Sequence, residues 1–290
     1  MKQMTIISGK GGAGKTTIAA SLLSFPAAPL IVDCDVDASN LHLLLGPRII
    51  EREEFFGLDV ARSDPGKCIG CGKCRDVCRF GAIDAEFEVK EDRCEGCAVC
   101  TLVCPSGALE MVPRMSGESY VSATRFGPLV HARLFPGEEA SGKLVSRVRT
   151  RALETARAQE REIIIIDGPP GSGCEVIASI TGVDLVLLVI EPTLSGIHDA
   201  KRVLELCRHF RIDVVACVNK YDINPDLASD IEEYLDQNGV KVLGRLPYDD
   251  EVTASMLRRE TLMESGSDEI KGIIGNIWRG ISNSLMKGGN

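Results

Sequence analysis

The sequence of 290 residues has no long hydrophobic run and no excess of positive charge. No apolar stretch approaches the roughly 20 residues of a membrane-spanning helix, so we expect no membrane partner. The formal net charge of −9 argues against broad nucleic-acid binding, although it leaves a local basic patch open. The N-terminus leads directly into an apolar strand pattern with no room for a cleavable leader, and we therefore expect a cytoplasmic protein.

Twelve cysteines need an explanation other than disulfide bonds, because the cytoplasm keeps thiols reduced. Eight of them form two copies of the pattern CxxCxxCxxxC, and the second copy begins 26 residues after the first. This is the cysteine run of bacterial ferredoxins, in which three cysteines hold one 4Fe-4S cluster and the fourth holds the neighbouring cluster. We predict two clusters, the first held by Cys68, Cys71, Cys74 and Cys104 and the second by Cys94, Cys97, Cys100 and Cys78.

Zinc is the alternative metal for these cysteines, because CxxC pairs also build tetrahedral zinc sites. A zinc site would gain nothing from the third cysteine of each run or from a crossing fourth one. A purely structural pair of clusters is a second alternative to a conducting pair. The proline that usually follows the fourth cysteine is present as Pro105 but replaced by Arg79 in the first run, which affects the loop and not the ligands.

A glycine-rich stretch, ISGKGGAGKTT from Ile7 to Thr17, lies between a short apolar strand and a helical pattern. Its glycines allow successive N–H groups to face phosphates at the positive end of the helix. In this pattern Lys15 reaches the β- and γ-phosphates and the Thr16 hydroxyl binds Mg²⁺. The predicted nucleotide-binding residues of the loop are Gly11, Gly12, Ala13, Gly14, Lys15, Thr16 and Thr17.

Two further apolar strand patterns end in acidic residues. Leu30 to Asp33 continues into DCDVD, and Glu162 to Asp167 reads EIIIID. The carboxyl ends of parallel strands lie beside a phosphate loop, so acids at these positions face the ligand. We predict that Asp167 holds Mg²⁺, directly or through water.

The loop KGGxGKT, with Lys10 directly after its first glycine, resembles the deviant Walker A loop of the MinD, ParA and nitrogenase iron-protein superfamily of ATPases. The resemblance implies ATP or ADP with Mg²⁺ as ligands and a slow ATP hydrolysis that depends on a dimer. That dimer, of identical chains or with a paralogue, would sandwich ATP, and Lys10 would contact the nucleotide of the neighbouring subunit. The resemblance also implies that Lys15 is catalytic, that Asp35 positions the attacking water, and that Asn219 in VNKYD pairs with adenine.

The fold class that follows is α/β, a three-layer P-loop NTPase domain with a mostly parallel sheet and an inserted small α+β ferredoxin domain. We expect the ATPase domain to comprise residues 1–57 and 117–290 and the ferredoxin domain residues 58–116.

Three features outside the motifs carry smaller predictions. The apolar face of the helical pattern at 268–285 predicts a final helix that packs on the sheet, since its polar face has too few cations for a membrane helix. Arg147, Arg149 and Arg151 are predicted to lie on a solvated helix face. Cys174 resembles a cluster ligand of the nitrogenase iron protein, but we expect an ordinary buried or interface thiol.

Three functions are compatible with a nucleotide switch joined to a ferredoxin. The first is ATP-gated electron transfer or redox-linked regulation of a redox or regulatory protein partner, which the sequence does not name. The second is spatial or cell-division regulation of the MinD and ParA kind with redox-sensing clusters. The third is iron-sulfur cluster assembly or delivery, against which the buried cubanes of ferredoxin ligation argue.

Overall fold

The computed structural model describes residues 1–25, 29–138 and 141–287. The chain forms two compact units. The first unit comprises Met1–Glu53, Ser119–Arg133 and Ser141–Asn290, and the second comprises Glu54–Glu118 and Leu134–Ala140.

The secondary structure alternates between strands and helices in the first unit. The strands are β1 (Lys2–Ser8), β2 (Leu30–Asp33), β3 (Arg48–Ser63), β4 (Leu109–Ala123), β5 (Pro128–Leu134), β6 (Ile163–Pro170), β7 (Leu185–Ile190), β8 (Asp213–Asn219) and β9 (Lys241–Leu246). The α-helices are α1 (Lys15–Leu22), α2 (Leu41–Leu45), α3 (Lys73–Val77), α4 (Val99–Val103), α5 (Ser141–Ala158), α6 (Cys174–Ile180), α7 (Leu194–His209), α8 (Pro225–Gln237), α9 (Glu251–Arg258), α10 (Leu262–Ser265) and α11 (Asp268–Lys287).

The strands form one sheet in the order β3-β4-β5-β2-β6-β1-β7-β8-β9. From β5 to β9 every neighbouring pair in this order is parallel. The central strands are almost continuous hydrophobic runs, as expected for strands buried on both faces. The prediction of an α/β fold with a mostly parallel sheet is therefore confirmed.

The final helix α11 packs its apolar side into the core of the first unit, where Ile274, Ile277 and Ile281 are fully buried. The ring of Trp278 stacks on Phe25 with a centroid distance of 5.8 Å. The prediction that this helix packs on the domain is confirmed. No helix within the described residues is both long and apolar enough to cross a bilayer.

The long strands β3 and β4 cross the bounds at residues 58 and 116 that the sequence analysis expected for the ferredoxin domain. Both strands contain residues of the two units. The β3 strand lies at one edge of the sheet, and most of its first seven residues are exposed and charged or polar. Charged side chains are usual on an edge strand and remove the hydrophobic alternation by which a strand is recognised.

Arg149 corrects the prediction of a solvated arginine face. Its guanidinium is buried and donates hydrogen bonds to carbonyl groups at the end of α6 and directly after it, including Thr181 O at 2.6 Å, and to Gln3 Oε1 at 2.8 Å. Burial lowers the pKa of Arg149 below its usual range. Arg147 does lie on the exposed side of α5, because residues two apart on a helix point in different directions.

Candidate functional site

The glycine-rich loop joins β1 to α1 and gives α1 an open N-terminus. Gly12 and Gly14 have φ values of 77° and 91°, which bulkier residues rarely adopt. Gly14 caps α1 without any side-chain hydrogen bond from the described residues. A Cβ atom at Gly9 would lie 2.2 Å from the Cβ of Asp199, so α7 approaches the loop too closely for another residue. The first-turn N–H groups therefore remain available to a phosphate.

A cleft of about 530 Å³ lies beside this loop. It brings together most of the residues that the sequence analysis predicted to bind or act on the nucleotide. Those that line the cleft are Gly11, Gly12, Gly14, Lys15, Thr16, Thr17, Asp35 and Asn219. Ala13 is instead buried in the core, and Lys10 lies beside Glu191, with its Nζ atom 3.6 Å from Glu191 Oε2.

The opposite end of the cleft is mainly apolar. The segment that follows β9 contributes Pro247, Tyr248 and Val252. Leu262 and Ile270 complete this end, and the sequence analysis did not identify them. A phosphate-binding end and an apolar end in one cleft suit a nucleotide, whose base is flat and apolar and whose phosphates are charged.

Two buried carboxylates lie side by side next to the loop, because Asp33 on β2 is in register with Asp167 on β6. Burial and the charge of Asp33 raise the pKa of Asp167 to about 8, although Thr16 and Lys15 act in the opposite direction. Among the described residues, neither carboxylate oxygen of Asp167 has a hydrogen-bond partner. A buried carboxylate without a donor is costly unless it is protonated or binds a cation.

This unpaired carboxylate is the observation that tests the site for Mg²⁺. Magnesium ions prefer carboxylate and hydroxyl oxygens and retain several waters beside a nucleotide phosphate. Asp167 supplies the carboxylate, and Thr16 supplies a hydroxyl close enough to lower the pKa of Asp167. The residues present therefore fit a magnesium ion.

Asn219 and Lys220 reach the phosphate loop from the end of β8. The Asn219 side chain donates from Nδ2 to Ala13 O at 2.9 Å, and Lys220 donates from Nζ to Gly12 O at 3.1 Å. Both side chains also line the cleft. The base-pairing role of Asn219 stays a prediction, while its contact with the loop shows that β8 helps to fix the loop.

The eight cysteines of the second unit surround two separate hollows. The first hollow is lined by Cys68, Cys71, Cys74 and Cys104, and the second is lined by Cys78, Cys94, Cys97 and Cys100. Each hollow therefore contains three cysteines from one run and the fourth cysteine of the other run. These are the two sets that the sequence analysis derived from the ferredoxin pattern.

The two cysteine runs also have matching backbones. Residues with positive φ recur at equivalent positions, as in Gly70 and Gly96 and in Gly81 and Gly107. The short helices α3 and α4 likewise occupy equivalent positions in the two runs. The second unit is thus built from a structural repeat.

All twelve cysteines are free thiols, and backbone N–H groups point at two of the sulfurs in the second unit. Ala108 N donates to Cys104 Sγ at 3.2 Å, and Ala61 N donates to Cys94 Sγ at 3.5 Å. Hydrogen bonds from Ser106 and Ala108 lower the pKa of the Cys104 thiol, which favours the thiolate that binds metal. Burial instead raises the pKa of Cys74 and Cys100.

Within the described residues, no group of three or more His, Cys, Asp or Glu side chains is arranged to hold a single metal ion. In a 4Fe-4S cluster each cysteine binds a different iron, so its four sulfurs stand further apart than those around one ion. Four free thiols around each hollow and N–H groups directed at sulfur fit such clusters.

Comparison with known proteins decides the family. Residues 4–262 match the model of the CobQ/CobB/MinD/ParA nucleotide binding domain. The chain belongs to this family. The resemblance to MinD and ParA is thereby confirmed, and the cleft beside the glycine-rich loop is the nucleotide cleft of a MinD/ParA-family protein.

The chain is similar to proteins with different names. An uncharacterized protein of Methanocaldococcus jannaschii, MJ0578, is 39% identical over 225 residues, which cover 77% of this chain and 79% of that protein. The iron-sulfur cluster carrier protein of Pyrococcus abyssi is 22% identical over 268 residues, which cover 85% and 74%. The structure of the cell division ATPase MinD of Pyrococcus furiosus superposes with a TM-score of 0.59 at 19% identity and covers 97% of this chain and 98% of that one, which shows a shared fold.

Asp33 is a site residue of this MinD/ParA-family chain to which the sequence analysis gave no role of its own. Its carboxylate accepts hydrogen bonds from Ser39 Oγ at 2.7 Å and from the backbone N–H of Asp35 at 3.1 Å. Burial raises the pKa of Asp33 to about 6, and burial also raises the pKa of Asp35. The signal was available in the alternating acids of DCDVD, which place Asp33 and Asp35 on the same side of the extended chain.

The four cysteines outside the runs have different environments. Cys34, Cys207 and Cys217 are buried in the core. Cys174 is exposed at the first position of α6, so of the two expected environments the buried one is wrong and the interface one stays a prediction. It directly follows Gly173, the N-cap residue of α6, at the exposed start of that helix.

Proposed function

We propose that this chain is an ATP-binding and ATP-hydrolysing iron-sulfur protein, in which a MinD-like nucleotide switch is coupled to a two-cluster ferredoxin domain. The coupling would serve ATP-gated electron transfer or redox-linked regulation of a partner. The observation that carries the proposal is the sharing of cysteines between the two runs at each hollow, in a chain that also has a MinD/ParA-family nucleotide cleft.

ATP would bind with its phosphates at the N-terminus of α1. The loop N–H groups and the buried Lys15 ammonium would compensate the phosphate charge, because both lie at the polar end of the cleft. Thr16 and Asp167 would hold Mg²⁺, which gives the unpaired carboxylate of Asp167 its missing partner. Asn219 and the segment after β9 would bind the base.

Hydrolysis needs a water molecule in line with the γ-phosphate. Asp35 lines the cleft, and its backbone N–H is held by Asp33, so its carboxylate is fixed near the phosphate end. We assign Asp35 to the orientation of this water. Lys10 of a second copy would add positive charge to the transferring phosphoryl group in an ATP-dependent dimer.

The second unit would be the ferredoxin domain, for which we keep residues 58–116 as the proposed bounds. When bound, two 4Fe-4S clusters would supply one-electron redox chemistry. The chain from Asp35 reaches this domain through residues 41–57, so a change in the nucleotide switch has a short covalent route to it. The N–H groups of Ala61 and Ala108 would stabilise the charge on two of the sulfurs.

The ligand sets are tested by iron analysis of anaerobically purified variants. Cys68→Ser removes a ligand from one hollow, and we expect it to lose about half of the bound iron. Cys174→Ser is the matched control, since Cys174 is exposed and outside both runs, and it should keep all of the iron. Full iron content in the Cys68 variant would contradict the assignment.

Coupling is tested by measuring ATP hydrolysis with the protein chemically reduced and then oxidised. We expect the two rates to differ, and equal rates would contradict a coupled switch. A companion measurement follows the loss of electrons from the reduced protein to a soluble dye with and without ATP. ATP-dependent loss indicates gated electron transfer, whereas an altered hydrolysis rate alone indicates redox-linked regulation.

Cluster delivery is the second candidate function, and the relative named iron-sulfur cluster carrier protein favours it. A carrier releases its cluster to an apo-protein, so transfer of iron and sulfide to an apo-ferredoxin distinguishes it from gated electron transfer. A spatial regulator of the MinD kind is favoured by the shared fold with the cell division ATPase MinD. That function predicts an ATP-dependent cellular pattern instead.

A further inference from the structure

Lys10 has an ionic partner inside its own subunit. Its Nζ atom lies 3.6 Å from Glu191 Oε2, and its backbone carbonyl accepts a hydrogen bond from Ser8 Oγ at 2.6 Å. The side chains of Lys10 and Glu191 are only 29% and 16% exposed, so this ion pair is better shielded from water than a typical surface pair. The Lys10 side chain, which would contact the nucleotide of a neighbouring subunit, is therefore paired with a carboxylate of its own subunit.

Glu191 has little freedom to follow Lys10. It is the residue directly after β7, and its backbone carbonyl accepts a hydrogen bond from Thr193 N at 2.8 Å. A Cβ atom at Gly196 would lie 2.3 Å from that carbonyl oxygen, so the first turn of α7 closes tightly over it. The backbone from which the Glu191 carboxylate extends is consequently held in place beside the phosphate loop.

A second lysine shares this carboxylate. Lys220 Nζ also lies 3.6 Å from Glu191 Oε2, while it donates to Gly12 O at 3.1 Å. The contact with Gly12 does not involve Glu191 or Lys10. Lys220 would thus stay in position if Lys10 left, and the carboxylate would not become an unpaired charge in a poorly hydrated site.

We propose that Glu191 is a positioning residue that holds Lys10 within its own subunit until ATP-bound subunits meet, and that Lys220 keeps Glu191 paired after Lys10 leaves. The inference rests on the proposed role of Lys10 in an ATP-dependent dimer. It adds two residues, Glu191 and Lys220, that set how readily the dimer forms.

The expected change in the dimer dissociation constant follows from the strength of the ion pair and from the two-fold symmetry of the dimer. A partly exposed pair changes an equilibrium by about threefold when it is lost. A symmetric dimer breaks the Lys10–Glu191 pair in both subunits, so the factor is squared to about tenfold in the dimer dissociation constant. The two substitutions act in opposite directions, since Glu191→Gln releases Lys10 and Lys220→Met leaves Glu191 with Lys10 as its remaining lysine partner.

The experiment is sedimentation equilibrium of the full chain with saturating Mg²⁺ and a non-hydrolysable ATP analogue. We expect Glu191→Gln to tighten the dimer by about tenfold and Lys220→Met to weaken it by a similar factor. Glu205→Gln, on the exposed side of α7, is the matched control for the loss of one negative charge and should leave the constant unchanged. Glu191→Asp, whose shorter side chain weakens the pair, should fall between the wild type and Glu191→Gln.

A double substitution separates positioning from a general effect on folding. If Glu191 acts through Lys10, Glu191→Gln should no longer tighten the residual association in a Lys10→Ala background. A Glu191→Gln dimer that is unchanged or weaker would overturn the inference while the dimer itself persists. Absence of any ATP-dependent dimer in the unchanged chain would overturn the proposed function of Lys10, and this inference with it.

Discussion

The nucleotide cleft collects residues from distant parts of the chain, whereas the two cysteine hollows are made from residues between Ala61 and Leu109. The cleft lies in the first unit, whose hydrophobic core contains many fully buried side chains. Among the described residues, a buried apolar cluster of the second unit contains Ala61, Ile83, Cys100 and Leu109, with six partly buried side chains packed against it. We therefore expect the first unit to form its site before a ligand arrives and the second, with its smaller core, to depend more on bound metal.

The largest expected effect is that of iron removal, which should destabilise the second unit and leave the first unit almost unchanged. Without iron, amide hydrogen exchange in the second unit should become faster by at least about 1000-fold, because metal binding would supply most of its stability. Exchange in β1, β6 and β7 should change little. Mass spectrometry measures this exchange in each unit. Equal protection of the second unit with and without iron would contradict the contrast between the two units.

The next effect tests the pre-formed cleft. Lys15→Ala removes the buried ammonium at the phosphate end and should lower ATP hydrolysis on the order of 1000-fold. The amide exchange of β1 should remain slow, since the sheet does not depend on the nucleotide. A variant that hydrolyses ATP normally would show that the nucleotide binds elsewhere.

Asp35 and Asp37 provide a matched pair inside the cleft, because both line it and only Asp35 is held through Asp33. Asp35→Asn should lower the rate of ATP hydrolysis on the order of 100-fold and leave ATP binding intact. Asp37→Asn should have a much smaller effect on the rate. Single-turnover kinetics and nucleotide titration measure the two properties separately, and equal rates for both variants would remove the assignment of Asp35.

The smallest effect is a pH dependence of stability in the absence of Mg²⁺ and nucleotide. The pKa of Asp167 is raised to about 8, so the folded state keeps a proton that the unfolded state has lost, and stability falls as pH rises. Between pH 6.5 and 8 the loss should be on the order of 2 kcal/mol. In this window His131, whose burial lowers its pKa to about 4, is already neutral and adds no slope.

Denaturant unfolding at several pH values measures this slope. Asp167→Asn should flatten it, whereas Asp226→Asn on the exposed start of α8 should leave it unchanged. A slope that survives the Asp167 substitution would assign the pH dependence to another group.

The sequence was most informative where the chemistry is local. The cysteine spacing predicted which four cysteines share each hollow, and the glycine-rich loop predicted the cleft, because these patterns span few residues. The parallel sheet also followed from its continuous apolar strands.

Contacts between residues far apart in the chain could not be predicted from the sequence. Nothing near Arg149 indicates that the last carbonyls of α6 would bury it, and nothing near Lys10 indicates that Glu191 would pair with it across the fold. The β3 strand was missed because its exposed edge carries charges instead of alternating hydrophobic residues. Each of these features depends on which elements become neighbours, and a single sequence does not specify that directly.

The central claim is that the nucleotide switch and the cysteine-rich domain are coupled. An anaerobic redox titration followed by electron paramagnetic resonance tests it, with and without Mg²⁺ and a non-hydrolysable ATP analogue. We expect the midpoint potential of at least one cluster to shift when the nucleotide binds, and the shift to disappear in Lys15→Ala. Identical potentials in both conditions would contradict the coupling and leave a ferredoxin domain that is only tethered to a MinD-like ATPase.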